Sequence, residues 1–160
     1  MAQDADTPTA PALSGALHHV SLPVRDAARS AAFYRDVLGL RQIDRPDFDF
    51  PGAWFSLGPG QLHLIQDSGS TFREDKPVDA RDIHFAIRVA SYRAALLHLI
   101  ARGYRKEGTP GAGALNGIKV SPRATAGFPQ IYLLDPDRNV IEINADTLDI
   151  AEDEIARLLE

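Results

Sequence analysis

The sequence predicts an α+β fold of two tandem βαβββ modules, which together would form a cup-shaped, curved mixed sheet with helices outside. Three observations support this prediction. A strand and helix pattern near the start recurs in the second half. The predicted strands alternate apolar and polar residues, as half-buried strands do. Finally, 160 residues with 44% hydrophobic side chains suit one domain, or two small modules that share a core.

The first module is predicted to occupy residues 18–66. Its opening strand places Val20 and Leu22 on an apolar face. A helix then begins after Asp26, a good N-cap residue, and ends near Gly39, because glycine readily adopts the left-handed C-cap conformation. Three further strands complete the module at residues 40–45, 53–57 and 61–65, the last two joined by a Gly-Pro-Gly turn.

The second module repeats this order at residues 83–145, after a polar linker at residues 67–82. Its helix begins after Ser91 and ends near Gly103. A Gly-rich loop, a short strand and a hairpin follow, at residues 108–117, 118–120 and 131–143.

Two terminal segments flank the modules. Residues 1–17 are acidic and rich in Ala, Pro and Thr, which predicts a disordered leader. Residues 146–160 are predicted to contain a C-terminal helix that packs on the domain or on a partner subunit. Asp149 and Glu152 stand at the spacing of a capping box at its start.

The internal repeat relates two pairs of polar residues. A shift of 65 positions places His84 on His19, and a shift of 79 places Glu142 on His63. By strand parity, all four side chains point away from the face that the helices cover. If the two sheets pair into one cup, four good metal ligands converge on its concave side.

Each candidate ligand also has a structural interpretation. A single histidine on a strand is more often structural than a ligand, and a buried polar network is the alternative to a metal site. A buried Glu142 between two isoleucines is costly unless it is paired or metal-bound. His18, at the start of a strand, and His98, within a helix, are not expected to be ligands.

Composition excludes several functions. The absence of cysteine removes disulfides, thiolate nucleophiles, cysteine zinc sites and iron-sulfur clusters. A formal charge of −5 without a long basic run argues against nucleic acid or an anionic membrane surface as a partner. No apolar run approaches the ~18 residues of a membrane span, and no signal peptide is evident. These features predict a cytoplasmic protein with a small-molecule substrate.

Three segments resemble the vicinal oxygen chelate superfamily, which includes glyoxalase I, fosfomycin-resistance proteins, extradiol dioxygenases and bleomycin-resistance proteins. They are HHVSLPVRD at residues 18–26, FYRDVLGL at 33–40 and DPDRNVIE at 135–142. The resemblance covers roughly residues 17–145 and is closest to the glyoxalase-I-like branch. It implies a homodimer with shared sites and a divalent ion, which would be Zn, Ni, Fe, Mn or Co. It also implies that His19, His63, His84 and Glu142 stand at the ligand positions and that Tyr132 faces the substrate. Well-characterised glyoxalase I enzymes carry Glu where this chain has His63.

The number of ligands separates the candidate reactions. Four protein ligands on an octahedral ion leave two positions, which suit the two vicinal oxygens of a substrate. This predicts a metal-dependent, glyoxalase-I-like lyase or isomerase that stabilises an enediolate, with Glu142 as the base. If His63 stands off the ion, then His19, His84 and Glu142 form the facial triad of a non-haem Fe(II) extradiol-type dioxygenase. A third possibility is a non-catalytic, bleomycin-resistance-like protein that binds a drug.

Four further residues are candidates for the substrate end of the cup. Arg88 shares the parity of His84 and is expected to hold a carboxylate or phosphate. Tyr132 is a candidate hydrogen-bond donor to a substrate oxygen. Trp54 and Phe55 have opposite parity, so only one of them can line the pocket.

Overall fold

The structure is a computed structural model that describes residues 15–109 and 115–160. Most of the predicted leader, residues 1–14, and residues 110–114 of the Gly-rich loop lie outside the described residues. The described residues form the predicted α+β fold, with two mixed sheets and three helices. None of these helices combines the length and the apolar character that crossing a membrane requires.

The first sheet has the strand order β1-β4-β3-β2. Its strands are β1 (His19–Val24), β2 (Gln42–Ile43), β3 (Gly52–Leu57) and β4 (Gly60–Gln66). Helix α1 (Ala27–Ala32) is capped by the Asp26 side chain, which accepts from the Arg29 amide, and it continues as a π-helical turn at Phe33–Val37. β2 is shorter than predicted because the Leu40 amide still bonds the Tyr34 carbonyl at the end of this turn.

The second sheet has the order β5-β9-β8-β7-β6. It contains β5 (His84–Val89), helix α2 (Tyr92–Ala101), β6 (Arg105–Lys106), β7 (Gly117–Ser121), β8 (Gln130–Leu134) and β9 (Val140–Ala145). In both sheets the first strand of the module pairs in parallel with the last, and the strand on the other side of the last one, β3 or β8, is antiparallel to it. The predicted repeat is therefore present, and the second module adds the short strand β6.

The larger of two apolar clusters among the described residues contains side chains of both modules. Alternate residues of the strands point into it, including Leu62 and Leu64 of β4 and Ile141 and Ile143 of β9. Helix residues from both modules complete it. The residues between these core positions, among them His63 and Glu142, therefore lie on the opposite face of each sheet.

Polar contacts also connect the modules. The turn between β8 and β9 carries Asp135 and Asp137, both fully or almost fully buried. Tyr34 donates to Asp135 at 2.9 Å, and Arg29 and Ser30 donate to Asp137 at 2.8 Å and 3.0 Å. The first helix is thus fixed against the second module by buried carboxylates, each of which is paired with donors.

The C-terminal helix α3 (Glu152–Leu158) buries Ile155 and the adjoining Leu159 in the core, so it packs on its own chain. The predicted capping box at its start is wrong. Ala151 is the N-cap and makes no side-chain hydrogen bond. Asp149 instead accepts from the Ser91 hydroxyl and the Arg93 amide, because the start of α2 offers two donors within reach.

The strands β1 and β5 lie at sheet edges, since among the described strands β1 pairs only with β4 and β5 only with β9. The carbonyl of His18, just before β1, accepts from the Gln61 amide of β4, and the carbonyl of Val24 accepts from the Asp67 amide just after β4. Residues of a parallel strand alternate in the direction of their backbone groups. Odd-numbered positions of β1, including Pro23, therefore face the open edge.

Candidate functional site

The first polar pair consists of His19 on β1 and His63 on β4. Their rings are stacked, with centroids 4.3 Å apart and an interplanar angle of 12°. Trp54 is the cross-strand partner of His63 and stacks on its other face at 3.9 Å and 5°. His18 adds a contact of 2.9 Å between its Nδ1 and that of His19. The first sheet thus carries a continuous stack of Trp54, His63 and His19.

His63 is buried within this stack and is held by a hydrogen bond. Its Nε2 lies 2.7 Å from Gln61 Oε1, which can only accept, so Nε2 carries the proton. Burial lowers the pKa of the imidazole, and electrostatic repulsion from the neighbouring His19 and His18 lowers it further. The ring is therefore held in the neutral form that metals bind, although its Nε2 is engaged by Gln61.

The second polar pair consists of His84 on β5 and Glu142 on β9. His84 Nδ1 lies 2.7 Å from the Asp82 carbonyl, so Nδ1 carries the hydrogen and the lone pair of neutral imidazole is on Nε2. This Nε2 lies 3.3 Å from Glu142 Oε2. Two electron-pair donors then face each other, an arrangement that requires a proton or a cation between them. A backbone carbonyl on the outer nitrogen is also typical of histidines that bind metal through Nε2.

Glu142 is 4% exposed and its other oxygen is occupied. Oε1 accepts from Asn144 Nδ2 at 2.6 Å and from Gln130 Nε2 at 3.2 Å. Tyr132 is its cross-strand partner, and its ring lies edge-on to His84 at 5.6 Å. Burial, with the neighbouring Glu142 carboxylate, raises the pKa of Tyr132 to about 12. Tyr132 is therefore a protonated hydrogen-bond donor at neutral pH.

The candidates for the substrate end occupy different places. Trp54 lies on the polar face of the first sheet, against His63. Phe55 is fully buried in the core, 5.9 Å from the Tyr34 ring, and does not reach that face. Arg88 lies on the polar face of the second sheet, where it pairs with Asp146 at 2.7 Å and covers the Phe128 ring at 4.6 Å.

The four expected ligands do not come together within one chain. Across residues 15–109 and 115–160, no group of three or more His, Asp or Glu side chains is spaced to hold one ion. The physical reason is that β1 and β5 are not hydrogen-bonded to each other. Residues of both strands instead line a cavity of about 550 Å³, which Phe72 of the linker also lines. The two pairs therefore lie apart within the described residues.

Sequence reasoning missed several residues that shape these two pairs. Gln61 and the Asp82 carbonyl set the protonation of the two histidine rings. Gln130 and Asn144 hold the Glu142 carboxylate. Strand parity could have identified Gln61 and Asn144, because they lie two residues from His63 and Glu142 and on the same faces of the sheets. His98 lies away from both pairs in the fold, on α2, where its Nε2 contacts the Val37 carbonyl at 2.7 Å.

The family model described as the glyoxalase/bleomycin resistance protein/dioxygenase superfamily matches residues 16–143. The chain belongs to this superfamily. A search of the curated proteins finds no match.

Solved structures share the fold at low sequence identity. A glyoxalase family protein from Bacillus anthracis is 22% identical, with a TM-score of 0.62, covering 86% of this chain and 98% of that one. The fosfomycin resistance protein FosX from Listeria monocytogenes, a mutant solved with Mn(II) and 1S,2S-dihydroxypropylphosphonic acid, is 19% identical, with a TM-score of 0.60 and coverages of 86% and 96%. Lactoylglutathione lyase from Agrobacterium tumefaciens is 20% identical, with a TM-score of 0.57 and coverages of 82% and 94%.

Proposed function

We propose that this chain is a metal-dependent lyase or isomerase of the glyoxalase-I type, acting on a small cytoplasmic substrate with two vicinal oxygens. The observation that carries the proposal is the presence of two repeat-related pairs of polar residues. His84 Nε2 and Glu142 Oε2 lie 3.3 Å apart, and the imidazole rings of His19 and His63 are stacked. Three imidazoles and one carboxylate suit Zn, Ni, Fe, Mn or Co.

The complete site is formed by two copies of the chain. His19 and His63 of one copy meet His84 and Glu142 of the second, and a symmetric dimer contains two such sites. Two facts support this arrangement. The two members of each pair lie side by side, and the described residues of one chain do not bring the two pairs together. The open edges of β1 and β5 leave room for a second copy to approach.

The bound ion would supply Lewis acidity to two adjacent substrate oxygens. The protein groups then divide the remaining work. Oε1 of Glu142 is occupied by Asn144 and Gln130, so Oε2 is the atom that would loosen from the ion, take a proton from one substrate carbon and return it to the next. The Tyr132 hydroxyl donates to a substrate oxygen, and Trp54 forms an apolar wall that limits access of water.

One observation favours a second candidate, a non-haem Fe(II) dioxygenase. His63 Nε2 is held by Gln61, and the ring is enclosed between Trp54 and His19. If these contacts persist, His19, His84 and Glu142 remain as a facial triad with three open positions.

Complementation between variants tests the shared site. One variant carries His19→Ala and His63→Ala, and the other His84→Ala and Glu142→Gln. Each alone is expected to lose its ion and its activity. In a heterodimer isolated with two different tags, one site is doubly damaged and the other is intact. We expect one ion per heterodimer and about half the wild-type turnover. Sites formed within one chain predict no ion and no recovery.

The reaction class is tested by metal analysis and by an assay with methylglyoxal and glutathione, with and without oxygen. Oxygen-independent turnover, with ion retention that depends on His63, supports the lyase or isomerase. Iron that survives His63→Ala, with no turnover of the glutathione adduct, supports the dioxygenase. No metal in any preparation would overturn both and leave a drug-binding protein.

A further inference from the structure

A buried hydrogen-bond acceptor without a partner lies beside Glu142. Asn144 is 5% exposed, and its Nδ2 donates to Glu142 Oε1 at 2.6 Å. Its Oδ1 is buried and has no hydrogen-bond partner among the described residues. Buried polar atoms of native proteins are nearly always paired, so this oxygen is a position where a missing partner is expected.

The orientation of this amide is fixed by its neighbour. Only the NH2 end of Asn144 is compatible with a contact of 2.6 Å to a carboxylate oxygen, because two acceptors would repel each other. Exchanging the two ends of the amide therefore does not remove the orphaned oxygen. Since Oδ1 can only accept, its missing partner carries a hydroxyl or an N–H group.

Asn144 lies in a row of polar side chains across the second sheet. Its cross-strand neighbours are Gln130 on β8 and Arg88 on β5. The Gln130 amide is already used by Glu142. Within the part of the chain that the structure describes, Arg88 forms an ion pair only with Asp146, whose side chain is 89% exposed, and it is held over the Phe128 ring. Exposed ion pairs are weak, so a ligand carboxylate can replace Asp146 on Arg88.

We propose that Asn144 and Arg88 form a recognition subsite for a hydroxylated organic acid. The ligand hydroxyl donates to Asn144 Oδ1, and the ligand carboxylate binds the Arg88 guanidinium in place of Asp146. Asn144 lies two residues beyond Glu142 on the same face, which corresponds to about 7 Å along the strand. The inference rests on the proposed function in one respect: it assigns this subsite to the substrate whose vicinal oxygens bind at the His84 and Glu142 end.

The subsite predicts discrimination between acids that differ by one hydroxyl. A site that is built to bond a hydroxyl rejects an analogue without it, because the protein acceptor then stays unpaired. Lactate and propionate have the same charge and the same carbon skeleton, and they are suitable probes. The readout is the NMR signal of the Asn144 side-chain amide in the full-length, ¹⁵N-labelled protein, titrated without added metal. Each lactate enantiomer is titrated separately. We expect at least one of them to bind about tenfold more tightly than propionate.

Three variants separate the roles of the neighbours. Asn144→Leu removes the acceptor at similar volume and is expected to abolish the preference for lactate, followed here through a backbone amide of β9. Arg88→Met is expected to weaken both acids by a similar factor and to keep the preference. Arg157→Met is the matched control for the loss of an arginine, because Arg157 lies on α3 and pairs with Asp153 outside this row, and it is expected to keep both the affinity and the preference.

The comparison in the wild-type protein needs no variant, so it stands even if a substitution impairs folding. Equal affinity for lactate and propionate, or binding of neither acid, overturns the proposal. It is also overturned by a crystal structure with lactate in which an ordered water remains on Asn144 Oδ1. Metal content is measured on the same preparations. Its absence counts against the proposed function, whereas failed discrimination with normal metal content counts only against the subsite.

Discussion

The hydroxyl of Tyr34 donates to Asp135 Oδ2 at 2.9 Å, across 101 positions of the chain. Both side chains are fully buried. Asp135 also accepts from the backbone amides of Asp137 and Asn139 and from the Asn139 side chain. The Asp135 carboxylate therefore stabilises the β8–β9 turn and also holds the first helix. The hydrogen bonds of this turn in the second module thus include a residue of the first module.

Removing the Tyr34 hydroxyl is expected to weaken this connection. Tyr34→Phe should lower the free energy of unfolding by about 1–2 kcal/mol, because a buried carboxylate oxygen loses one of its donors. Urea denaturation followed by circular dichroism measures the change. Tyr104→Phe is the control, since the Tyr104 hydroxyl makes no hydrogen bond with the described residues, and its loss should cost less. Equal costs for the two variants would contradict the role of the Asp135 contact.

Trp54 is the only tryptophan of the chain and lies 3.9 Å from the His63 ring, so its fluorescence reports on that ring. If His63 is a ligand, Co(II) should quench Trp54 strongly, and His63→Gln should remove most of the quenching. His98→Gln is the control, because His98 is bonded to the Val37 carbonyl on another surface. Quenching that persists unchanged in His63→Gln would place the ion away from His63.

Arg73 is expected to hold the His84 ring in position indirectly, through its contacts with Asp82. Its guanidinium bonds the Asp82 carboxylate at 2.8 Å and the carbonyls of Pro77 and Arg138 at 2.9 Å and 2.8 Å. These contacts fix Asp82, whose carbonyl holds His84 Nδ1. Arg73→Met should weaken ion binding about 10-fold or more, as loss of such supporting contacts does at other metal sites.

The signature of this positioning role is the tautomer of His84. ¹⁵N NMR of the metal-free protein should show hydrogen on Nδ1 in the wild type and a mixture of tautomers in Arg73→Met. Arg73→Lys should keep part of the preference for hydrogen on His84 Nδ1, because a lysine can still reach Asp82. An unchanged tautomer in Arg73→Met, together with weaker ion binding, would mean that Arg73 acts in another way.

Asp149 gives the protein a defined dependence on pH. The Ser91 hydroxyl, followed by the Arg93 amide, lowers the pKa of this carboxyl below its model-compound value of 3.8. A lowered pKa means that the ionised form is favoured by folding. The stabilisation is thus present above about pH 4 and is lost as the pH falls through the lower, folded-state pKa. The effect is small because Asp149 is exposed.

Thermal unfolding between pH 3 and pH 7 tests this contribution. Asp149→Asn should have a lower Tm than the wild type at pH 7, and the two should approach each other near pH 3. In a Ser91→Ala background, the difference in Tm at pH 7 that Asp149→Asn causes should be smaller, since Ser91→Ala removes the largest cause of the lowered pKa. Parallel curves for the wild type and Asp149→Asn across this range would exclude the assignment.

The fold was predictable from sequence because its determinants are local. Alternating apolar residues mark each strand, and Gly39 and Gly103 end the two helices with positive φ angles of 71° and 86°. Asp149 was assigned to the wrong helix because its partner, Arg93, lies 56 positions away and offers a competing donor that spacing does not reveal. Local pattern determines which elements form, whereas long-range hydrogen bonds determine where some of their ends attach.

The sheet face on which each candidate ligand lies was predictable from sequence, whereas the distances between the candidates were not. Parity and the repeat placed His19, His63, His84 and Glu142 on the polar faces. Strand parity predicts the face of the sheet on which a side chain lies, but not its distance from side chains of another sheet. It therefore left open whether the two sheets of one chain bring the pairs together. The orphaned Asn144 oxygen depends on which end of one amide meets Glu142, and no sequence pattern contains that information.

The open edge of β1 has a consequence for solubility. An exposed strand edge with free amide groups is a template for uncontrolled pairing between molecules, which is a route to aggregation. Pro23 occupies a position of β1 that faces away from β4, so the donor it lacks is one that an invading strand would need. Proline is tolerated there because the native ladder does not use that position. Pro23 therefore protects the edge of β1 against uncontrolled pairing with another strand.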